Sequence, residues 1–438
     1  MADRRKLVQV LTALKDWLSW AVQRWDLALV LVALLLSLSA EAPPPGKLDT
    51  QVRYLLAGEQ FDFLGWEVQA VLNKFAHALV APQRYMDEPA RRDFLLDYLD
   101  LVSAIQHTER EIHRTYTDPD VEDPRAATSD LLARLMELRA EEDARQLLAE
   151  AILEEQVACV LVDEGFGLLG QILPPISVHF TPLPTLLIVS PRDRIERIFS
   201  LGLRHGLNAA QREEIEAQVD ATQDVSSLVT NIGGLSAYPA MLLESSSLNW
   251  LTNVTAHEWT HHYLSPRPLG WDYAASPETR TINETVASIV GQDAGRLTVA
   301  RYYPEFLPSE PDSEPEEKTL AEKAPSPPPA FDYRQEMRET RIQVDELLAG
   351  GHIEEAEEYM EERRQIFVAQ GYHIRKLNQA YFAFHGAYAD EPGATGADPI
   401  GPAVQRLHRL SPDLHTFVTR IASVTTQAEL EALLARLE

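Results

Sequence analysis

An H-E-x-x-H sequence at residues 257–261 constrains this chain more than any other stretch. Its two histidines are four residues apart, so both imidazoles can reach one ion only if they lie one turn apart on the same face of an α-helix. The surrounding letters, SSLNWLTNVTAHEWTHHYL, predict that helix, with capping residues at 245–247 and an end at SPRPLG. The residues expected to face the core are Trp250, Leu251 and Val254.

A catalytic metal site needs a third protein ligand and an open position for water. Glu284 follows His261 by 23 positions, in the segment SPETRTINETVASIVGQDAG, and Ser276-Pro277-Glu278 is typical of a helix start. Two antiparallel helices joined by a turn of about a dozen residues would bring Glu284 opposite the histidines. The spacing therefore predicts a two-histidine, one-carboxylate site.

Over roughly residues 225 to 300 the chain resembles the gluzincin (thermolysin-like) metallopeptidases, in which a second helix bearing Asn-Glu follows the H-E-x-x-H helix. Asn283-Glu284 stands in that place. The resemblance implies a zincin-like catalytic core and one catalytic Zn²⁺ bound by His257, His261 and Glu284. It implies hydrolysis of peptide bonds by a zinc-activated water, with Glu258 as the general base.

One position departs from the family pattern. Four residues after the ligand Glu, where an acidic residue supports a zinc-bound histidine, this chain has Ser288. We expect Asp293 or a backbone carbonyl to take over that role. His262 points about 100° away from His261 on the helix, so we expect it to pack or support rather than to bind the metal.

A group that stabilises the oxyanion is expected from the C-terminal part of the chain. The segment GYHIRKLNQAYFAFHGAY contains the candidates Tyr372, His373, Asn378, Tyr381 and His385. The last three recur at helical spacing, so we predict Tyr381 and His385 as catalytic and Asn378 as substrate-binding. LNQAYFAF is similar to an Asn-Asn-Ala-aromatic segment of predicted bacterial aminopeptidases, with Gln379 at the second Asn. The alternative is an ordinary helix surface or a core hydrogen bond.

Several alternatives remain open at this point. A zinc-binding scaffold without activity has no need of Glu258 beside an open metal position, and an accidental motif predicts no metal. The substrate is a peptide or protein, but aminopeptidase and endopeptidase activity are both compatible with the motif. Glu244 is a candidate for holding a substrate amino terminus. NIGGLSAYPAM is either an edge strand that aligns a peptide or a plain turn.

The N-terminus predicts a membrane segment. Residues 27–36, LALVLVALLL, are wholly apolar, the basic residues precede the run, and EAPPPGKLDT follows it. Tryptophans upstream are typical of a membrane interface, which favours a retained anchor with the catalytic domain outside the cytoplasm. A cleaved signal, giving a secreted protein, and a buried core helix are the alternatives.

Composition and periodicity suggest an α+β fold that is mainly α-helical with a small β-sheet. A net charge of -28 excludes a nucleic-acid partner, and the single Cys159 is expected to be buried. Nothing in the sequence indicates an oligomeric state. The predicted regions are an N-terminal anchor and linker at 1–45, a helical region at 46–172, the catalytic core at 173–307, a flexible Pro/Glu-rich insertion at 308–330, and a C-terminal helical region at 331–438.

Overall fold

The computed structural model describes residues 46–307, 331–390 and 393–438. The chain divides into two units, Met1–Leu55 and Leu56–Glu438. In the first unit the described part contains helix α1, Leu48–Leu55. Among the described residues no helix is long and apolar enough to cross a membrane. The predicted anchor at 1–45 and the predicted insertion at 308–330 lie outside the described residues.

Long helices open the second unit, as the periodicity predicts for the region up to residue 172. They are α2 (Phe63–Val80), α3 (Glu88–Thr117), α4 (Pro124–Ala127) and α5 (Ser129–Leu161), with a 3₁₀ turn at Pro82–Tyr85 and an irregular turn at Val162–Phe166. Thr128 occupies the cap position of α5. The prediction of a buried Cys159 is wrong, because this residue is exposed on the outer face of α5.

Short strands follow in three small sheets. They are β1 (Gly167–Leu168), β2 (Gln171–Ile172), β3 (Val178–Phe180), β4 (Thr185–Pro191), β5 (Phe199–Leu203), β6 (Val225–Thr230), β7 (Gly234–Leu235) and β8 (Ala240–Leu242). β1 and β2 form a hairpin, β5-β4-β6 is antiparallel, and in β3-β8-β7 the first pair is parallel and the second antiparallel. The stretches SVHF, TLLIVS, SLVTN and AMLLES lie among Pro and Gly residues and predict short strands, which are confirmed as β3, β4, β6 and β8.

Carboxylates of α5 cover the outer edge of β3. The backbone N–H of Val178 donates to Glu154 at 2.7 Å, and that of Phe180 donates to Glu150 at 2.8 Å. Lys74 of α2 forms ion pairs with both carboxylates, at 2.6 and 2.8 Å. Unpaired edge N–H groups are costly when buried, so this cluster holds the sheet that leads to the site against the helical region.

The next four helices are α6 (Ala209–Gln223), which packs on β6, and α7 (Leu248–Leu264), α8 (Pro268–Trp271) and α9 (Pro277–Tyr302), which surround the site region. The sequence predicts a helix that opens at Asn208, and this start is confirmed, because the Asn208 side chain accepts from Gln211 N at 2.9 Å in a reciprocal capping box. Ser247 caps α7 and Ser276 caps α9, with Pro277 in the first turn, as predicted.

Further helices complete the unit after a 3₁₀ turn at Pro304–Phe306. They are α10 (Tyr333–Ala349), α11 (Ile353–Ala369), α12 (Gln379–His385), α13 (Ile400–Arg409), α14 (Leu414–Ile421) and α15 (Gln427–Leu437). The largest apolar core draws residues from α3, α5, α7, α9 and the last three helices, and a second core joins α10 to α11. The described chain is thus mainly helical with small sheets, and the α+β class is confirmed.

Candidate metal centre

Helix α7 presents His257 and His261 to a cleft because its opposite face is apolar. Leu251, Ala256 and Trp259 are fully or almost fully buried in the main core. Trp259 also donates its ring N–H to Pro174 O at 2.9 Å, which fixes the rotation of the helix about its axis. The predicted i, i+4 helical placement of the two histidines is therefore observed.

Helix α9 runs antiparallel to α7 at close range. A Cβ added at Gly291 would lie 2.9 Å from Asn253 O and 3.1 Å from His257 Cβ, and one added at Gly295 would lie 2.8 Å from Asn253 Cα. Only glycine permits this approach, because real Cβ atoms do not come so close to a neighbouring backbone. The approach brings Glu284 opposite the two histidines, as the spacing predicts.

The three side chains form a compact triangle. His257 Nε2 and His261 Nε2 are 3.2 Å apart, and Glu284 Oε2 lies 3.5 Å from the first and 3.6 Å from the second. Ligands bound tetrahedrally at about 2.0–2.1 Å stand about 3.3–3.4 Å from one another, so the triangle has the size that zinc requires. The side chains are 14%, 14% and 6% exposed, which leaves one side of the triangle open to the cleft.

Glu284 has one oxygen without a partner. Its Oε1 accepts a hydrogen bond from the Tyr273 hydroxyl, but the buried Oε2 has no hydrogen-bond partner among the described residues. Burial alone would raise the pKa of Glu284, yet the His261 and His257 rings hold it well below its ordinary value. An ionised, buried and unpaired oxygen facing two imidazole nitrogens fits a cation-binding position.

Asn283 sets the tautomer of His261. Its Oδ1 lies 2.7 Å from His261 Nδ1, so this nitrogen donates and Nε2 is the nitrogen toward the cleft, where a bound cation would displace its proton. Asn283 is held in turn, because its amide donates to Leu269 O at 3.0 Å. Burial lowers the pKa of His261, but the Glu284 carboxylate outweighs it and raises the pKa to about 9.

Asp293 does not contact the histidines of the site. Its carboxylate lies 3.0 Å from His408 Nε2, on another face of α9. Asn283 supports His261, whereas the acid expected at position 288 concerned the orientation of His257, so Asn283 does not replace it.

Glu258 lies beside the three metal-ligand candidates and is only 5% exposed. Ser236, which follows β7, donates its hydroxyl to Glu258 Oε2. Gly234 of β7 permits this contact, because a Cβ at that position would collide with the Glu258 carboxylate. The arrangement fixes one oxygen of the Glu258 carboxylate at the wall of the cleft.

A cavity of about 320 Å³ opens over these groups. Its walls include His257, Glu258, Tyr273, Tyr388 and Arg197. A larger cavity, of about 850 Å³, lies near α6 and α11 and holds none of the predicted metal ligands. The smaller cavity thus joins a candidate metal position, a carboxylate base and hydroxyl donors in one cleft.

Comparison of the chain with protein-family models, with curated proteins and with solved structures finds no match. The likeness to gluzincins is accordingly carried by the site residues alone.

The predicted C-terminal site residues do not line this cleft. Tyr381 contacts the Tyr333 hydroxyl at 3.1 Å and packs its ring 4.2 Å from that of His385. Asn378 caps α12 by accepting from Tyr381 N at 2.9 Å, and its amide donates to Ser227 O at 2.9 Å. Tyr372 stacks on Tyr333 in the second core. Their contacts are those of a helix cap and a packed interior.

Tyr388 and Tyr273 are two residues of the cleft that the sequence did not predict. Tyr388 ends the quoted segment GYHIRKLNQAYFAFHGAY, just after α12, and its ring lies 6.4 Å from that of His257. The Glu284 carboxylate and burial raise the pKa of Tyr388 well above its ordinary value. Tyr273 lies in the loop between α7 and α9, where the sequence carries no helical pattern and so offers no signal.

Two other predicted positions have partners elsewhere. Glu244 forms an ion pair with Arg139 at 2.7 Å, so its carboxylate is engaged by α5. His262 lies outside the metal-ligand group, and its Nε2 donates to Ala237 O at 2.8 Å. Of the two interpretations of NIGGLSAYPAM, the strand is observed, since Gly234 and Leu235 pair with β8 at the edge of their sheet.

Proposed function

We propose that this chain is a zinc metallopeptidase with a zincin-like catalytic core, in which His257, His261 and Glu284 bind one Zn²⁺ and Glu258 is the general base. The observation that carries the proposal is the buried Oε2 of Glu284. It has no hydrogen-bond partner in the described chain, yet it lies 3.5 and 3.6 Å from two imidazole nitrogens. In a buried polar cluster that binds no metal, such an oxygen would have a hydrogen-bond partner.

The residues of the cleft supply the remaining chemistry. Bound zinc would lower the pKa of a water molecule and polarise the scissile carbonyl. Glu258 takes the proton from the attacking water and returns it to the leaving amine, while the Ser236 hydroxyl keeps the carboxylate in place. Tyr388 replaces Tyr381 and His385 as the proposed oxyanion donor, because it lines the cleft with its ring 6.4 Å from that of His257.

The edge strand β7 supports a peptide as the substrate. Gly234 and Leu235 pair with β8 on one side and border the cleft on the other. An extended peptide can pair with a free strand edge through its backbone, independently of its side chains. The N-terminal apolar run at 27–36 supports a membrane tether with the cleft outside the cytoplasm, or secretion after cleavage.

The alternative is a zinc-binding scaffold. Glu258 is the residue that separates the two functions, because a structural metal site needs no base at an open position. In the proposed enzyme, the full-length chain purified in detergent binds one zinc per molecule, and Glu258→Gln lowers peptide hydrolysis by about 10²- to 10⁴-fold while zinc binding is retained.

The measurements are metal content by mass spectrometry and cleavage of a mixed peptide library. The control is Glu137→Gln, which removes an exposed carboxylate of α5 and should leave both unchanged. Zinc without cleavage in the unsubstituted protein would favour the scaffold. A chain that binds no zinc, with Glu284→Ala indistinguishable from it, would exclude both functions.

A further inference from the structure

Two arginines beside the metal centre have no carboxylate partner. Within residues 46–307, 331–390 and 393–438, neither Arg197 nor Arg280 forms an ion pair. The arginines around the larger cavity differ, since Arg192 pairs with Glu357 at 2.7 Å and Arg375 pairs with Glu216. An arginine pair without an ion-pair partner needs a separate explanation in a chain with a net charge of -28, where the Glu284 and Glu196 carboxylates act on Arg280 only through space.

Arg280 is the more unusual of the two because it is buried. Arg280 is 6% exposed, and its Nε has no hydrogen-bond partner in the described chain. Burial, followed by the nearby charge of Arg197, lowers the pKa of Arg280 to about 10. A buried charge normally has a partner, because desolvation is expensive without one.

Both guanidinium groups adjoin the metal cleft through Tyr273. Their central carbons lie 5.6 Å (Arg197) and 5.8 Å (Arg280) from the centre of the Tyr273 ring. Arg197 Nη2 donates to the Tyr273 hydroxyl at 3.3 Å, and that hydroxyl donates to Glu284 Oε1. Arg197 is thus two hydrogen bonds from a metal-ligand candidate.

Arg197 also connects two cavities. It lines the 320 Å³ metal cleft and a pocket of about 60 Å³ whose wall contains Arg280. Acids in that pocket are engaged elsewhere: Glu196 contacts Arg194 at 2.6 Å, and Asp398 accepts from Ile400 N at 2.8 Å. The third arginine of the pocket, Arg341, pairs with Asp345. The unpaired positive charge of the pocket is therefore that of Arg197 and Arg280.

We propose that Arg197 and Arg280 bind a substrate carboxylate next to the scissile bond, and that this carboxylate is the free C-terminus of the peptide. This inference rests on the proposed metallopeptidase function and specifies its substrate class. Consecutive Cα atoms are 3.80 Å apart, so the terminal carboxylate of a one-residue leaving group stays close to the scissile carbonyl. Guanidinium is the group best suited to carboxylate, through paired N–H donors.

The same charges disfavour an aminopeptidase. A substrate ammonium group needs a carboxylate partner, but the carboxylate of Glu244 pairs with Arg139. The other source of a carboxylate is an acidic side chain beside the scissile bond, as in an endopeptidase selective for Asp or Glu. The geometry favours the terminal carboxylate. This group is part of the main chain, whereas an Asp or Glu carboxylate would have to reach the arginines from the end of a side chain.

The first test is kinetic, with the zinc-loaded full-length chain and peptide pairs that differ only in a free or amidated C-terminus. We expect amidation to lower kcat/KM by about 10- to 100-fold, the usual effect of losing a charge-assisted hydrogen bond. Arg280→Met and Arg197→Met should remove this difference, mainly through KM. A second set of peptides tests whether the carboxylate comes from a side chain. All of these peptides have amidated C-termini, and they differ in having Asp or Asn, or Glu or Gln, beside the scissile bond.

The second test measures binding without catalysis. Calorimetry of N-acetyl-leucine and of its amide should show that the acid alone binds, and that Arg280→Met weakens it at least tenfold. The control is Arg296→Met, since Arg296 is exposed on the same helix. Arg280→Met should leave the thermal midpoint unchanged or raise it, because it removes an unpaired buried charge. If Arg280 had only a structural role, Arg280→Met would instead lower the thermal midpoint.

The outcomes separate the two proposals. One outcome is cleavage that depends on Glu258 but has the same kcat/KM for free and amidated C-termini, with no binding of N-acetyl-leucine. This result overturns the carboxylate site and is still consistent with the peptidase. Selectivity for Asp or Glu side chains over a free C-terminus overturns the terminal-carboxylate assignment. Failure of the zinc-loaded chain to cleave any peptide overturns the peptidase and the substrate class that rests on it.

Discussion

At the scale of single residues, the environment decides what each histidine can do. His261 faces the Glu284 carboxylate, and its pKa is raised to about 9 despite burial. His385 packs against the ring of Tyr381, no carboxylate of the described residues offsets its burial, and its pKa is lowered to about 4. Both residues are histidines, so the difference between their pKa values comes from the charges that the fold places beside each of them.

His385 makes stability depend on pH. Its folded pKa, about 4, lies below the unfolded value of about 6.5, so its contribution is complete above pH 6.5 and is lost as the pH falls toward 4. Relative to His385→Gln, the unsubstituted chain should lose about 2 kcal/mol of unfolding free energy between pH 7 and pH 5. Urea unfolding of both proteins at the two pH values measures this difference.

The exposed His205 offers a matched control, and His205→Gln should show the pH response of the unsubstituted chain. An equal response in His385→Gln would mean that His385 is not held neutral by burial.

At the scale of elements, the pair α7 and α9 makes the site. One helix carries two ligand candidates and the base, the other carries the third ligand candidate, and the glycines of α9 set the distance between them. Most of this pair could be predicted from sequence, because helical spacing, the Ser247 and Ser276 caps and the loop length are all local signals. The glycine contact could not, since it depends on which residues of α7 oppose Gly291.

Gly291→Ala tests this contact. The new Cβ would lie 2.9 Å from Asn253 O, so the helices must separate and His257 must move relative to Glu284. We expect a loss of about 1–3 kcal/mol in unfolding free energy and weaker zinc binding. Urea unfolding and zinc titration against a chromogenic chelator measure the two effects.

The control is Gly58→Ala, where an added Cβ meets nothing within 4 Å, so the change should stay within about 0.5 kcal/mol. Normal zinc affinity in Gly291→Ala would show that the helix spacing does not set the metal site.

At the scale of the whole molecule, residues Leu56–Glu438 form one compact unit. Its main core takes residues from α3 near one end to α15 at the other, so the site rests on helices that are distant in sequence. The apolar run at 27–36 lies outside the described residues, and its role as a membrane anchor stays a prediction from the sequence.

Membrane association provides the corresponding test. The chain should remain in the membrane pellet after alkaline carbonate extraction, since an apolar run preceded by basic residues partitions into lipid. Leu31→Arg with Leu34→Arg should shift it to the soluble fraction, because each arginine costs about 2.5–3.5 kcal/mol at the centre of a membrane helix. The matched variant, Leu31→Ala with Leu34→Ala, should stay in the pellet. Recovery of the unsubstituted chain in the supernatant would contradict a retained anchor.

By itself the sequence determined the helices, four of the strands, the α+β class and the proposed metal ligands with their base. Each of these follows from local spacing, because residues three or four apart on a helix share a face whatever else the chain does. Only the tertiary structure brought Tyr273, Tyr388 and Arg197 to the cleft and placed Asn378, Tyr381 and His385 outside its wall. Those positions depend on packing between segments far apart in the chain, and no local periodicity records which distant side chains meet.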